Sequence, residues 1–257
     1  MLSKRWIKLI RSLEYKKYRI KENLFLAEGD KLVTELLQAG FNIEVLIGTD
    51  AFFTSVGTGI SKVSETIVAN EDEIIRASLL KNPQQCMALC RIPKYALPTD
   101  TAERYLLLLL DGIQDPGNLG TIVRLASWFG IRDIVCSTDT ADIYSPRTVQ
   151  ATMGAISQVR THYLDPGMFL STIQGKEIPV MGTYLDGENI YSAVLPATGI
   201  VVIGNEGNGI RESLHPFITR KLTIPRYPSH LIQTDSLNVA TATAIVLSEF
   251  RRRQLSS

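Results

Sequence analysis

Cysteine and histidine are scarce in this chain, and it has no long apolar run. The three cysteines, Cys86, Cys90 and Cys136, are odd in number and lack C-x-x-C spacing. That argues against a zinc site or a disulfide framework and fits buried free thiols in a reducing, cytoplasmic setting. His162, His215 and His230 are scattered, so each reads as structural or solvated, and no metal is expected. No stretch of about 18 apolar residues exists, so no membrane partner or span is expected. The N-terminus lacks the short apolar core of a secretory signal. Neither a G-K-[ST] phosphate loop nor G-x-G-x-x-G occurs.

What is present suits a globular protein. With 257 residues and 45% hydrophobic content, one large or two small domains can each bury a core. The net charge of +1 hides an asymmetry. Residues 3–21 hold eight Lys or Arg and one Glu, a local +7, which leaves −6 elsewhere. Lys4, Lys8 and Arg11 share one helical stripe, with Trp6, Ile10 and Leu13 nearly opposite. The segment reads either as a docked helix with a solvated basic face or as a footprint for a polyanion.

Periodicity divides the chain. Residues 1–95 alternate a helix over 3–22, a strand at 25–28, a helix from Asp30 (a possible N-cap) to Gly40, and strands at 43–47 and 60–63. A helix opening at Asn70 with a Glu73 capping box and a strand at 86–92 complete this small α/β domain. Residues 96–104, within a proline-containing stretch, read as a linker. From 105 to 257, strands at 105–110, 133–136, 159–161, 179–184, 200–203 and 221–224 alternate with helices near 118–130, 146–155, 168–175, 210–217 and 237–253. The fold class is therefore α/β, with a C-terminal, mostly parallel sheet covered by helices on both faces.

Three loops at strand ends carry polar groups. In DPGNLGTIVRLASWFGI, residues 115–131, Asn118 and Arg124 exceed what a structural turn needs, and a helix N-terminus favours anions. VVIGNEGNGI, residues 201–210, places Glu206 among three glycines. IPRYPSHLIQTDSLNVATATAIVLSEF, residues 224–250, ends a strand at Ile224. Asp235 or Ser236 is a candidate cap of its small-residue helix, with Ser236 and Asn238 as site groups.

Together, in this order, the three segments resemble the signature motifs of the SpoU/TrmH family of RNA ribose 2′-O-methyltransferases, within the SPOUT class. The resemblance covers residue 105 to the C-terminus. NLFLAEGDKLVTELLQAG, residues 23–40, is similar to the substrate-binding domain of rRNA-directed members, and SPRTVQATMGAI, residues 145–156, to the family's usual continuation. The link from Arg226 to Asp235 is longer than members commonly carry.

The resemblance implies a deep trefoil knot, a homodimer, S-adenosylmethionine as cofactor and RNA, of the rRNA class, as substrate. It implies catalytic-site roles for Asn118, Arg124, Glu206, Ser236 and Asn238, and cofactor binding around Gly204, Asn205, Ile224 and Leu237. Arg124 is expected to assist loss of the ribose proton, as a general base or by lowering the hydroxyl pKa; the second is physically easier because arginine normally stays protonated. Two rivals compete with that reading. One is a catalytically silent RNA- or ribosome-binding protein of the same fold. The other is a dinucleotide enzyme, disfavoured by the late glycines and by Pro225 and Arg226 where an acid would be needed.

Overall fold

The structure is a computed structural model, and it describes residues 1–57, 63–227 and 236–255. The N-terminal elements are α1 (Lys4–Ser12), α2 (Lys16–Glu22), β1 (Leu24–Glu28), α3 (Asp30–Gln38), β2 (Ile43–Gly48), α4 (Asp50–Val56), β3 (Glu65–Val68), α5 (Glu71–Ala77) and β4 (Cys86–Arg91). There follow α6 (Thr101–Arg104), β5 (Leu106–Leu110), α7 (Pro116–Trp128), β6 (Asp133–Cys136), α8 (Pro146–Thr152), β7 (Arg160–Tyr163) and α9 (Pro166–Ile173). The chain closes with β8 (Val180–Asn189), β9 (Gly199–Ile203), β10 (Arg220–Thr223) and α10 (Val239–Leu255).

Two compact units result. The first comprises Met1–Lys94 and the later segment Asp142–Gln158. Its sheet runs β1-β4-β2-β3, antiparallel except for the β2–β3 pair. The basic face of α1 points outward, because Ile10 and Leu13 on the other face enter the core with Leu26, Ile47 and Leu89. The segment Asp142–Gln158 is built into this unit. Tyr144 packs on Phe25 at 5.0 Å between ring centroids, and α8 lies against β1. Gly154 has φ +94, a left-handed backbone that favours glycine, and it packs closely on the Glu35 side chain.

Several local expectations are corrected. The predicted 3–22 helix is two helices. Buried Arg19 donates to Leu13 O and Glu14 O, both at 2.7 Å, satisfying the carbonyls freed at the break, and its guanidinium pairs with Asp142 at 2.7 Å. Gly29, not Asp30, precedes α3 as its cap; Asp30 Oδ1 instead accepts from the Gln85 amide at 3.1 Å. The strand placed at 60–63 falls partly outside the described residues, and β3 forms at Glu65–Val68. As a mostly exposed edge strand it lacks an apolar signal. The capping box at Asn70 and Glu73 is present as expected.

The second unit comprises Tyr95–Ala141 and Val159–Ser257. Its sheet runs β10-β8-β9-β5-β6-β7, and every pair is parallel. The five leucines of β5 are fully buried, as a central parallel strand requires. The stretch read as irregular contains the single turn α6, and the helix expected at 210–217 is a 3₁₀ segment, Glu212–Phe217, carrying Pro216. All three cysteines are free and buried, and burial pushes the Cys136 thiol up to about 12. His162 bonds Asp133 at 2.8 Å and His215 bonds Ile210 O at 3.1 Å; His230 lies outside the described residues. No helix among the described residues is long and apolar enough to cross a membrane.

Candidate active site

Parallel pairing of β5 with β9 sets Leu110 beside Ile203, so the loops that follow them leave the same end of the sheet. In the first loop Asp115 caps α7, its Oδ1 accepting from the Asn118 amide at 2.8 Å, and Pro116 occupies the first helical turn. That cap fixes Asn118 one turn into the helix, with its side chain free to reach outward.

The second loop is organised by Asn205. Its Oδ1 accepts from the amides of Gly207 and Asn208 at 2.9 and 3.0 Å, and its Nδ2 donates to Gly112 O at 2.7 Å. Its backbone exchanges two hydrogen bonds with Gly209, at 2.9 and 3.0 Å. Gly204 is required by the same turn: a Cβ there would lie 2.3 Å from the Gly209 carbonyl carbon. The Asn205 side chain is thus committed within the protein, and Gly204 makes room for the chain's own backbone. Glu206 projects into solvent from the tip.

At the third loop Asn238 caps α10, its Oδ1 accepting from the amides of Ala240 and Thr241 at 3.0 and 3.2 Å. This corrects the expectation of a cap at Asp235 or Ser236. Asp235 lies outside the described residues, and Ser236 is exposed with no hydrogen bond among the described residues. Leu237 is half exposed, and Ile224 is half-buried just past β10.

A directed relay joins the three loops. Because the Asn238 oxygen serves the helix, only its Nδ2 can turn outward, and it donates to Asn118 Oδ1 at 3.0 Å. Asn118 must then present its own Nδ2 to Glu206, whose Oε1 accepts at 3.0 Å. These are partly solvated bonds, each worth about 0.5–1.5 kcal/mol. That is too little to hold a domain, and enough to orient three side chains.

Arg124 is not brought into this relay. Six residues beyond Asn118, it sits about 9 Å further along the axis of α7. It lines a groove of about 690 Å³ between α7 and α10, with Leu125, Trp128, Phe129, Tyr191 and Ile245. The carboxylate lining that groove, Glu249, is already taken by Arg252 and Arg253 at 2.7 and 2.6 Å; with Arg252 foremost, they hold it down to about 2. Arg124 is left exposed, with no hydrogen bond or ion pair among the described residues.

Asp111 and Arg211 escaped the sequence reading. An acid directly after five buried leucines must find a partner. Asp111 is fully buried and bonded to both the backbone and the guanidinium of Arg211. That demand is the signal that could have found the pair.

The relay makes a definite prediction. Asn118→Asp sets two carboxylates face to face, where they repel while both are ionised and share a proton as the pH falls. Its thermal midpoint should fall below that of Asn118→Ala at pH 8, and the gap should close as the pH falls toward 5. Adding Glu206→Gln, which can donate to the new carboxylate, should restore the midpoint. A pH-independent deficit would contradict the relay.

Comparison with known proteins identifies the family. Residues 105–248 match the SpoU rRNA methylase family, and residues 4–88 match the MRM3-like substrate-binding domain. The chain is 31% identical, over 94% of its own length and 94% of the relative's, to a 23S rRNA (guanosine(2553)-2′-O)-methyltransferase of Bacillus subtilis. Among solved structures, it is similar to a TrmH-family protein from Porphyromonas gingivalis, with TM-score 0.88 and 42% identity over 98% of this chain and 99% of that one. It is also similar to an AdoMet-bound rRNA methyltransferase from Sinorhizobium meliloti, with TM-score 0.86 and 30% identity over 98% of this chain and 96% of that one. The family match over the unit that holds all three loops, together with a relative aligned along nearly the whole chain, establishes that this protein belongs to the SpoU rRNA methylase family.

Proposed function

We propose that this chain transfers the methyl group of S-adenosylmethionine to a ribose 2′-hydroxyl of rRNA, acting in the cytoplasm as a homodimer. The observation that carries this reading is the Asn238–Asn118–Glu206 relay, which gathers the three motif loops at one end of a parallel sheet. The named activity of the Bacillus subtilis relative supports the reaction, and the AdoMet-bound relative supports the donor. The deep trefoil knot belongs to the same reading and rests on the shared fold.

The residues present suit such a donor. In the turn at residues 204–209 the backbone is exposed at Gly207 and Gly209, with open space around Gly209, and Leu237 presents an apolar side chain between polar neighbours. Gly204, Ile224 and Leu237 would hold the donor through backbone and apolar contact. Asn205 would contribute by shaping the turn, since its side chain is committed elsewhere. When bound, S-adenosylmethionine supplies a methyl carbon already activated by its sulfonium.

The chain's own task is to orient the hydroxyl and to favour loss of its proton. Arg124, positive and without an acid partner among the described residues, stabilises the developing oxyanion, which lowers the hydroxyl pKa without the guanidinium itself giving up a proton. Asn118, Glu206 and Asn238 form a polar wall at the start of α7, and exposed Ser236 completes its rim. Arg124→Ala should reduce methyl transfer by roughly 100-fold or more, with donor affinity by calorimetry unchanged. Loss of donor binding would instead sink this division of labour. A map of rRNA 2′-O-methylation with and without the protein tests the reaction itself; an unchanged map would favour the catalytically silent RNA-binding alternative.

The groove around Arg124 supports the homodimer. Trp128 is 83% exposed at its edge, beside Leu125 and Ile245, and a second copy would bury it. Trp128→Glu should turn a dimer into a monomer in sedimentation, with the thermal midpoint losing its dependence on protein concentration. A parent that sediments as a monomer would overturn this point.

RNA recognition is assigned to the first unit. Lys4, Arg5, Lys8, Lys16 and Lys17 are exposed and form no ion pair among the described residues. Elsewhere Arg91, Arg104, Arg160 and Arg220 each meet an acid. Uncompensated repulsion along α1 and α2 is relieved by a polyanion. Replacing Lys4, Lys8, Lys16 and Lys17 by Gln should flatten the slope of log RNA affinity against log salt by roughly 3, leaving donor affinity unchanged. An unaltered slope would place RNA elsewhere.

A further inference from the structure

We infer that Arg211 is a positioning residue for the methyl-donor pocket, clipping together the loops that follow β5, β6 and β9; this rests on the function proposed above. Arg211 closes the loop that carries Glu206. Its backbone amide donates to Asp111 Oδ2 at 2.8 Å, and its Nε donates to Asp111 Oδ1. Its terminal nitrogen reaches Asp139 Oδ1 and Oδ2 at 2.9 and 3.1 Å. One guanidinium thereby joins the ends of three strands.

The joint is enclosed by further bonds. Gly112 donates to Ser137 Oγ at 2.8 Å and accepts from Asn205 at 2.7 Å; Ser137 Oγ meets Thr140 Oγ1 at 2.9 Å. Gly112 has φ +73, and a Cβ there would lie within 3.6–3.8 Å of Asp139, Asn205 and Arg211 alike, so the residues converge on one point. The two carboxylates differ in kind. The Asp111 side chain is 2% exposed and needs a cation to be tolerated, whereas that of Asp139 is 52% exposed and could be solvated without help. Holding Asp139 as well therefore serves the placement of the loops more than the burial of charge. Lysine, with a single point charge, cannot reproduce the fork that spans both acids.

The turn organised by Asn205 hangs from this clip, and the donor is assigned to that turn. Loosening it should weaken donor binding selectively, because misplacement of about 1 Å is enough to cost large factors in such sites. The test compares Arg211→Lys, Arg211→Ala and Asp139→Asn with the parent in S-adenosylmethionine affinity, RNA affinity, thermal midpoint and hydrogen exchange. Arg211→Lys and Arg211→Ala should raise the donor Kd roughly tenfold or more, and Asp139→Asn should raise it by a smaller factor. RNA affinity should stay within about twofold. The amides of Gly207, Asn208 and Gly209 should lose protection in every variant. If Arg211→Ala fails to fold, Asp139→Asn still decides, since its side chain is half exposed and the buried Arg211–Asp111 pair stays in place. Donor affinity unchanged in both Arg211→Lys and Asp139→Asn overturns the inference. So does a parallel loss of donor affinity, RNA affinity and thermal midpoint, which would mark a general structural role. A parent that binds no donor sinks the functional reading instead, and amide protection in residues 207–209 then tests the clip separately.

Discussion

Everything at the candidate site depends on the in-register parallel pairing of β5 with β9, Leu106 to Gly199 through Leu110 to Ile203. Parallel strands end on the same side, so two loops more than 90 residues apart in sequence emerge as neighbours. The pairing is strong because both strands are wholly apolar and wholly buried. Polar chemistry is thereby confined to the strand ends, where Asp111 meets Arg211, Asn205 meets Gly112, and Asn118 meets Glu206 and Asn238.

Charge is arranged with equal economy. Most arginines of the second unit are committed: Arg160 to Asp133, Arg211 to Asp111 and Asp139, Arg220 to Glu188, Arg252 and Arg253 to Glu249. Arg124 stands apart because the acid lining its groove is occupied by Arg252 and Arg253. An uncommitted guanidinium costs the folded protein little while exposed, and it is available for a substrate anion or a developing oxyanion. In the first unit Lys4, Lys8, Lys16 and Lys17 likewise form no ion pair among the described residues, while Arg19 is withdrawn to Asp142 to secure the break between the two helices.

Much of the second unit was legible from periodicity and punctuation. Five leucines can hardly be other than a buried strand, and Asp115 with Pro116 marks a helix start. The motif loops were legible as a set because each follows a strand and carries polar side chains where a helix or a glycine-rich turn begins. The misreadings have physical causes. The edge strand β3 buries too little to leave a pattern. Gly29 took the cap from Asp30 because the Asp30 carboxylate had a backbone donor at Gln85. Asn238 took the cap of α10 because its own oxygen reaches the free amides of Ala240 and Thr241. The membership of Asp142–Gln158 in the first unit has no local signal at all, since it rests on contacts with Phe25, Arg19 and Glu35.

The sequence by itself determined the α/β class, the three polar loops, the basic N-terminal face and, through its motifs, the family. These are properties of local pattern, which chain chemistry imposes before any long-range contact forms. Only the tertiary structure decided which loop groups face one another. It committed Asn205 to the turn, gave Asn118 its polarity through Asn238, left Arg124 in a groove apart from the relay, and joined Asp111 to Arg211. Those outcomes turn on distances across a hundred residues of sequence, set by strand order and register.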